Sequence, residues 1–425
     1  MFSSLMYNKL LMKNIRLIIL FIFLASACVQ IQAQMSFRLK SAPADLSVYF
    51  NNELIKPAST SGTIREYRIP SVGTLRFSAS GYNSIEWNTD KLPVVKGQAD
   101  IKLEKEKGVL KYIGEYKTGS QPKSAYFSPD GKRLFVPLLN EKGVDVFRVL
   151  KQSLEYEKRL EAGTRPGFVE ALCDERRREL WVSSMEENKV YVFNLDTLEL
   201  KSSYITGGTF TKVIVQSPGG ALTLVSNWVS RDISVFDSDT KKLLRRIPAG
   251  GTPRGMAFSP DGALMYAAIY DAAIVAVVDM KEYKVIYKWR FNEGEGAARH
   301  IIYRDGKLYV SDMYRGTVNI LNAATGALLK SARVGPNINT IVMSPDGRYI
   351  FASSRGMNNA VDYMLPGPDF GAVYMLNAQD LTLIDKVWGR NQPTGLAVSP
   401  DGKLLVFTDF LDANIELYRI ETAPQ

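Results

Sequence analysis

The sequence predicts an all-β chain: a seven-bladed β-propeller, preceded by a small β-sandwich-like domain and a signal peptide. Three observations carry that expectation. A Ser-Pro-Asp-Gly turn recurs along most of the chain, the segments between its copies divide into four short apolar runs, and the composition suits strands better than catalysis. The 425 residues allow two to four domains at roughly 100–200 residues each. Hydrophobic residues at 46% and charged residues at 23% are ordinary globular usage, and 32 Gly with 19 Pro fit neither disorder nor a collagen-like repeat. The 21 Tyr and 19 Phe lean toward β structure. A single His removes most triad, metallohydrolase and proton-shuttle chemistry, and two Cys cannot make a disulfide framework.

At the N-terminus, Lys9, Lys13 and Arg16 precede an uncharged, largely apolar run over 17–27. That run is too short for a bilayer, which needs about 20 helical residues, so 1–33 is expected to be a secretory signal. Two processing sites stand side by side. Cleavage can follow Ala33, or Leu24-Ala25-Ser26-Ala27-Cys28 can act as a loose lipobox in which Cys28 is lipidated. Removing 1–33 deletes three cations and leaves 50 − 44 = +6, with Cys173 a lone thiol.

The repeat starts from Phe127-Ser128-Pro129-Asp130-Gly131. It returns at Ser259-Pro260-Asp261-Gly262, Ser344-Pro345-Asp346-Gly347 and Ser399-Pro400-Asp401-Gly402. Weaker copies are Ser217-Pro218-Gly219-Gly220, Asp305-Gly306 and the degenerate Cys173-Asp174-Glu175. The Asp position runs 130, 174, 219, 261, 305, 346, 401, in steps of 44, 45, 42, 44, 41 and 55. Pro-Asp-Gly between apolar runs is a turn whose Gly supplies positive φ, and four strands per 40–45 residues is the arithmetic of a propeller blade. The last copy ends after a third strand over 415–420, while 109–118 is an orphan strand before the first copy. It is expected to complete the last blade and close the ring.

These motifs resemble the YVTN-type, YncE-like β-propeller family over residues 109–425. The resemblance implies a fold and not a chemistry. The family's Tyr-Val-Thr-Asn survives only as Phe135-Val136, Trp181-Val182 and Tyr309-Val310. Residues 35–106 lack the repeat and carry strand candidates at 46–50, 65–69, 74–78, 84–87 and 99–103, followed by a charged junction at 104–108. Pro43-Ala44, Gly73 and Gly81-Tyr82 there resemble a PEGA-type surface module; a plain β spacer is the other reading.

Counting back from the turns puts one position of each copy at the channel mouth: Lys123, Lys212, Arg254, Asn339 and Thr394 in register, and Arg299 with a one-residue shift. In the second copy Arg165 or Gly167 fills the place. Converging cations attract an anion. Alternatively, they pair with Glu170, Asp271, Asp312 and Asp409 and tie the ring together. The same face should carry Asn227-Trp228, Arg231, Tyr270, Tyr314-Arg315, Arg355 and Phe410, which can stack sugars or bases or simply pack. The 55-residue step marks an insertion over 355–371, a candidate lid that includes Met357 and Tyr363.

No Walker loop, GxSxG or HExxH occurs, and no catalytic residue or metal ligand is assigned; His300 lacks a partner of its own kind. Glu170 with Asn227 or Asp271 could hold Ca²⁺ as a six-bladed lactonase-type site does, but seven blades argue against that family. The sequence therefore reads as an exported, non-enzymatic binding protein of the periplasm or cell surface. It would take an anionic or carbohydrate ligand, or a protein partner, and meet a membrane only through a lipid anchor. A lactonase- or dehydrogenase-like enzyme using Ca²⁺ or a quinone is the alternative, and the YncE-like resemblance implies single-stranded DNA binding as a third. The oligomeric state stays open.

Overall fold

Each of the first six copies of the repeat folds as a four-stranded antiparallel sheet in simple chain order, with second and third runs apolar on both faces. The computed structural model describes residues 34–421 apart from 41–45, 63, 71, 80–81, 83, 93, 96–97, 100, 102 and 104–107. The expected signal over 1–33 with Cys28, the Pro43-Ala44 pair, Gly81 and most of the charged junction lie outside the described residues.

The innermost strands of blades 1 to 6 are Tyr126–Phe127, Phe168–Asp174, Thr211–Gln216, Pro253–Phe258, Ala298–Arg304 and Ile338–Met343. Blade 7 runs outward through Pro393–Val398, Leu404–Asp409 and Asn414–Ile420, and its outermost strand is Leu110–Lys117. The chain thus closes its ring with the first propeller strand pairing the last, as the orphan strand led us to expect. At this seam Gly395 faces the Ser124 backbone so closely that a Cβ would collide with it. Neighbouring blades meet through buried rings and branched aliphatics, for example Phe135, Phe168, Val182 and Phe193 between blades 1 and 2.

The front module is a sandwich. One sheet orders Ser59–Ser61, Ile64–Pro70, Gln34–Lys40, Gln98–Ala99 and Val94–Val95; the other orders Glu53–Ile55, Ser47–Phe50, Thr74–Ser78 and Ile85–Asn88. Phe37, Val48, Tyr67, Ile69, Leu75 and Phe77 fill the space between them. The strand Gln34–Lys40 was not anticipated, and the expected strand at 99–103 is reduced to the short Gln98–Ala99. The module rests on blades 6 and 7. Tyr49 meets Phe370 edge-on at 5.1 Å, and the Asn52 amide donates to the Gly367 carbonyl at 2.7 Å. Among the described residues no helix is long and apolar enough to cross a membrane.

Candidate functional site

In six blades the inner strand opens with one paired residue and then slips its ladder. Pro253 pairs Ile269, for instance, and pairing resumes at Met256 with Ala267. The same slip occurs after Phe168, Thr211, Ala298, Ile338 and Pro393. The residue following each opening pair therefore occupies an equivalent place: Val169, Lys212, Arg254, Arg299, Asn339 and Thr394. Lys123 matches them in blade 1, after Pro122 bridges Leu138. Two expectations are corrected by this register. Arg299 needs no shift, because blade 5 drops its residue in the tight Asp305-Gly306 turn and not in the strand. Blade 2 contributes Val169, and neither Arg165 nor Gly167 stands in the column.

The slip frees a backbone N–H, and a hydroxyl from the neighbouring strand takes it. Val213, His300 and Thr340 donate to Ser226, Ser311 and Ser353 at 3.0, 3.0 and 3.1 Å. The same hydroxyls donate to the column carbonyl of the next blade, Arg254, Asn339 and Thr394, at 3.2, 3.2 and 3.0 Å. They pin the column backbone from both sides, so the side chains start from fixed roots.

Four column cations, Lys123, Lys212, Arg254 and Arg299, are buried together with Arg355, which follows the second strand of blade 6. Among the described residues a single carboxylate pairs with any of the five: Glu170, 3.4 Å from Arg254 and also the acceptor of the Tyr126 hydroxyl. The others rest on soft or neutral groups. Lys212 Nζ lies 2.8 Å from the Met185 sulfur and 4.7 Å from the Trp228 ring centre. Arg299 lies 3.6 Å from the Met313 sulfur and 5.8 Å from the Tyr270 ring. Lys123 stands 4.6 Å from the Phe410 ring. Arg355 donates to Gln392 Oε1 from Nε at 3.0 Å and faces Tyr363 at 5.3 Å.

Burial, and then repulsion from Arg355, Arg299, Lys212 and Arg254, pushes the Lys123 ammonium well below the ordinary lysine range. Burial followed by Arg254 and Arg299 does the same to Lys212. Burial alone dominates at His300, lowered to about 4 and so neutral at pH 7, with its Nδ1 unpartnered. Both side-chain amide atoms of Asn339 and the Nε of Arg254 are also buried without partners. Buried polar atoms without partners are uncommon, and here three such residues share one channel mouth.

Packed against the column is a tier formed by residues that follow the second strands: Met185, Trp228, Tyr270, Met313, Arg355 and Phe410. Trp228, Tyr270, Arg355 and Phe410 were legible beforehand. Met185 and Met313 were missed, although counting one residue past each second strand would have found them. Other expected site residues do not join the cluster. Arg165 is largely exposed and pairs with Glu186 at 3.3 Å. Tyr314 is 64% exposed, and Arg315 donates to the Glu295 and Glu293 carbonyls of the loop that enters its blade. Asp312 and Asp409 accept the backbone N–H groups of Ala297 and Arg390, and Asp271 takes Thr252 N–H and Arg231. Among the described residues no three His, Cys, Asp or Glu side chains gather as a metal site.

Comparison with known proteins places this geometry in a class. Residues 101–263 match the model of the YncE-like β-propellers, and residues 287–424 match that of the seven-bladed β-propeller lactonases. The chain is 35% identical over 362 residues to antigen Lp49 of Leptospira interrogans (serogroup Icterohaemorrhagiae serovar copenhageni, strain Fiocruz L1-130), across 81% of this chain and 77% of that one. It belongs to the same β-propeller family as Lp49. Hydrazine synthase of Kuenenia stuttgartiensis shares the fold, with a TM-score of 0.60 and 20% identity over 73% of this chain and 98% of that one. Because one matched lactonase family is itself seven-bladed, the blade count does not set this chain apart from lactonases in general.

Proposed function

We propose that the chain is an exported, non-enzymatic binding protein that takes a small anion carrying more than one negative charge at the channel mouth. One observation carries this reading: five buried cations surround the mouth with one carboxylate among them. An uncompensated buried charge costs several kcal/mol, on the order of what two buried aliphatic side chains contribute, so an arrangement of this kind needs a counter-charge. The unpartnered Asn339 amide adds one donor and one acceptor for the same ligand, and the ring tier of Trp228, Tyr270 and Phe410 suits an apolar or sugar-like portion. Cations sunk in a mouth do not form the surface track that single-stranded DNA follows. Export rests on the N-terminal signal pattern and is supported by the relative's description as an antigen. Cys28 lipidation would place the chain on a membrane, and the front sandwich, PEGA-like by its Gly73 turn and Tyr82, would serve as its spacer or presenting module.

A thermal-shift screen of the chain lacking 1–33, against di- and tricarboxylates, nucleotides, acidic oligosaccharides, Ca²⁺ and short single-stranded DNA, tests this. A hit that stabilises the wild type and not Arg254→Ala/Arg299→Ala supports the site. If no anion shifts the wild type and the double variant alone melts lower, the column is structural. The match of residues 287–424 to the lactonase family favours a second reading, an enzyme working in the same mouth with Glu170 and neutral His300 at hand. Lactone hydrolysis that disappears in Glu170→Gln would establish it.

A further inference from the structure

A cavity of about 300 Å³ lies away from the channel, where the front sandwich rests on blades 6 and 7. Both bodies line it: Tyr49 and Arg76 from the sandwich, and Tyr112, Trp388, Arg390 and Glu416 from the propeller. Its size is at the lower end of the range for small-molecule sites, which favours a ligand built on one ring.

Arg76 is the unusual member. Its strand, Thr74–Ser78, turns it toward the propeller, where it is only 3% exposed. The guanidinium lies between two rings, 4.0 Å from the centre of Phe370 and 4.7 Å from that of Trp388. Nη2 pairs with Glu86, while Nε and Nη1 have no partner. Stacking accounts for the faces of the guanidinium but not for these in-plane N–H groups, which are its strong donors. Lys386 stands nearby, its ammonium 3.3 Å from the Trp388 ring centre and 5.4 Å from that of Tyr374, and among the described residues no carboxylate pairs with it.

The charges around the cavity can be balanced by pairs. Arg76 has Glu86, and Arg390 has Glu115. Burial pushes the Glu416 carboxyl up to about 7, against the pull of the Tyr418 hydroxyl that donates to it at 2.8 Å. Among the described residues Lys386 is the one cation lining the cavity with no carboxylate paired to it, which leaves a single ammonium for an anionic group. A planar carboxylate matches neighbouring guanidinium N–H groups, whereas a dianion would exceed that single charge. The remaining walls mix the rings of Tyr49, Tyr112 and Tyr418 with the hydroxyls of Ser47, Ser78 and Ser84.

We propose that this cavity is a binding site for a ring-bearing monocarboxylate, with its carboxylate held by Arg76 and Lys386 and its ring set among Tyr49, Tyr112 and Tyr418. The site is separate from the channel mouth and exists only because the two bodies meet. An aromatic acid and a sugar acid share this chemistry, and the probes distinguish them.

The test is isothermal calorimetry on the chain lacking 1–33, using benzoate and glucuronate as probes, benzamide and glucose as neutral controls, and inorganic phosphate as the tetrahedral control. One carboxylate should bind the wild type and the channel variant Arg254→Ala/Arg299→Ala equally, its neutral counterpart and phosphate should not bind, and Arg76→Met should weaken it at least tenfold. Because Arg76→Met also removes a packed charge, Lys386→Met serves as a second variant with an expected loss of several-fold. The proposal is overturned if neither carboxylate binds, if both variants bind as the wild type does, or if the channel variant abolishes binding.

Discussion

At the turn end of blades 1, 4, 6 and 7, Ser128, Ser259, Ser344 and Ser399 each donate to the aspartate two residues on, all at 2.6 Å. Each aspartate also accepts the N–H two residues beyond itself, at 3.0 to 3.1 Å, and Gly131, Gly262, Gly347 and Gly402 take φ of 69°, 71°, 75° and 72°. At the mouth end of the same blades the equivalent positions hold Lys123, Arg254, Asn339 and Thr394. There Arg254 Nε and the whole Asn339 amide find nothing to bond. The contrast teaches where this molecule is self-sufficient. A turn that satisfies its polar groups within five residues can be copied from blade to blade, because nothing outside it matters. A mouth whose polar groups are left without partners varies from blade to blade.

The largest expected effect is at the mouth. Arg254→Ala/Arg299→Ala should lower the affinity for a stabilising anion at least 100-fold, about 3 kcal/mol, in a calorimetric titration. Unchanged affinity would break the comparison, since both ends would then be structural. Next comes the turn. Ser399 is 3% exposed and its hydroxyl both donates to Asp401 and accepts Leu404 N–H at 2.9 Å. Ser399→Ala should therefore cost about 1–2 kcal/mol in a denaturant titration. A neutral result would show that the turn tolerates an unmet N–H.

Lys123→Met should act with the opposite sign. It removes a buried cation repelled by four others, so the free protein should gain about 1 kcal/mol while anion affinity falls. A loss of stability instead would mean that Lys123 is tied structurally through its Phe410 contact.

The pH dependence is the smallest effect and separates the two ends by sign. Hydrogen bonds from Ser128 and Ser259 hold Asp130 and Asp261 below the ordinary carboxylate range. At Asp346 burial works upward, but bonds from Ser344 and Arg348 outweigh it and bring the group to about 2. A carboxylate depressed in the folded state stabilises above its unfolded pKa, about 4, and that stability is lost as pH falls toward 2. Lys123 and Lys212 are lowered in the folded state, so near their titration the free protein gains stability as pH rises. An anion reverses their shift, and binding should take up protons. Melting curves between pH 4 and 2, and calorimetry in two buffers of different ionisation enthalpy, check the two signs.

Much of this was legible before any coordinates. The turns announced the blades because Ser-Pro-Asp-Gly specifies its own geometry, and counting from them located Lys123, Lys212 and Arg254, with Arg355 set on the same face. Counting failed where a turn changed length. Blade 5 shortened its turn and made Arg299 look displaced, and the degenerate second copy hid Val169 behind Arg165. Met185 and Met313 were invisible for another reason: a methionine facing a cation resembles one facing a core.

By itself the sequence determined what local chemistry can determine: the number of blades, the turns, the closing strand Leu110–Lys117 and the face on which the cations gather. Tertiary structure alone decided the rest. It chose Glu170 over Asp271, Asp312 and Asp409 as the carboxylate that reaches Arg254, and it brought Arg76 between Phe370 and Trp388. Those contacts join residues 84 to 312 positions apart, and their distances follow from how seven blades fan around an axis and where the sandwich settles on them. No local pattern encodes such radial distances, because each depends on the packing of all the blades between.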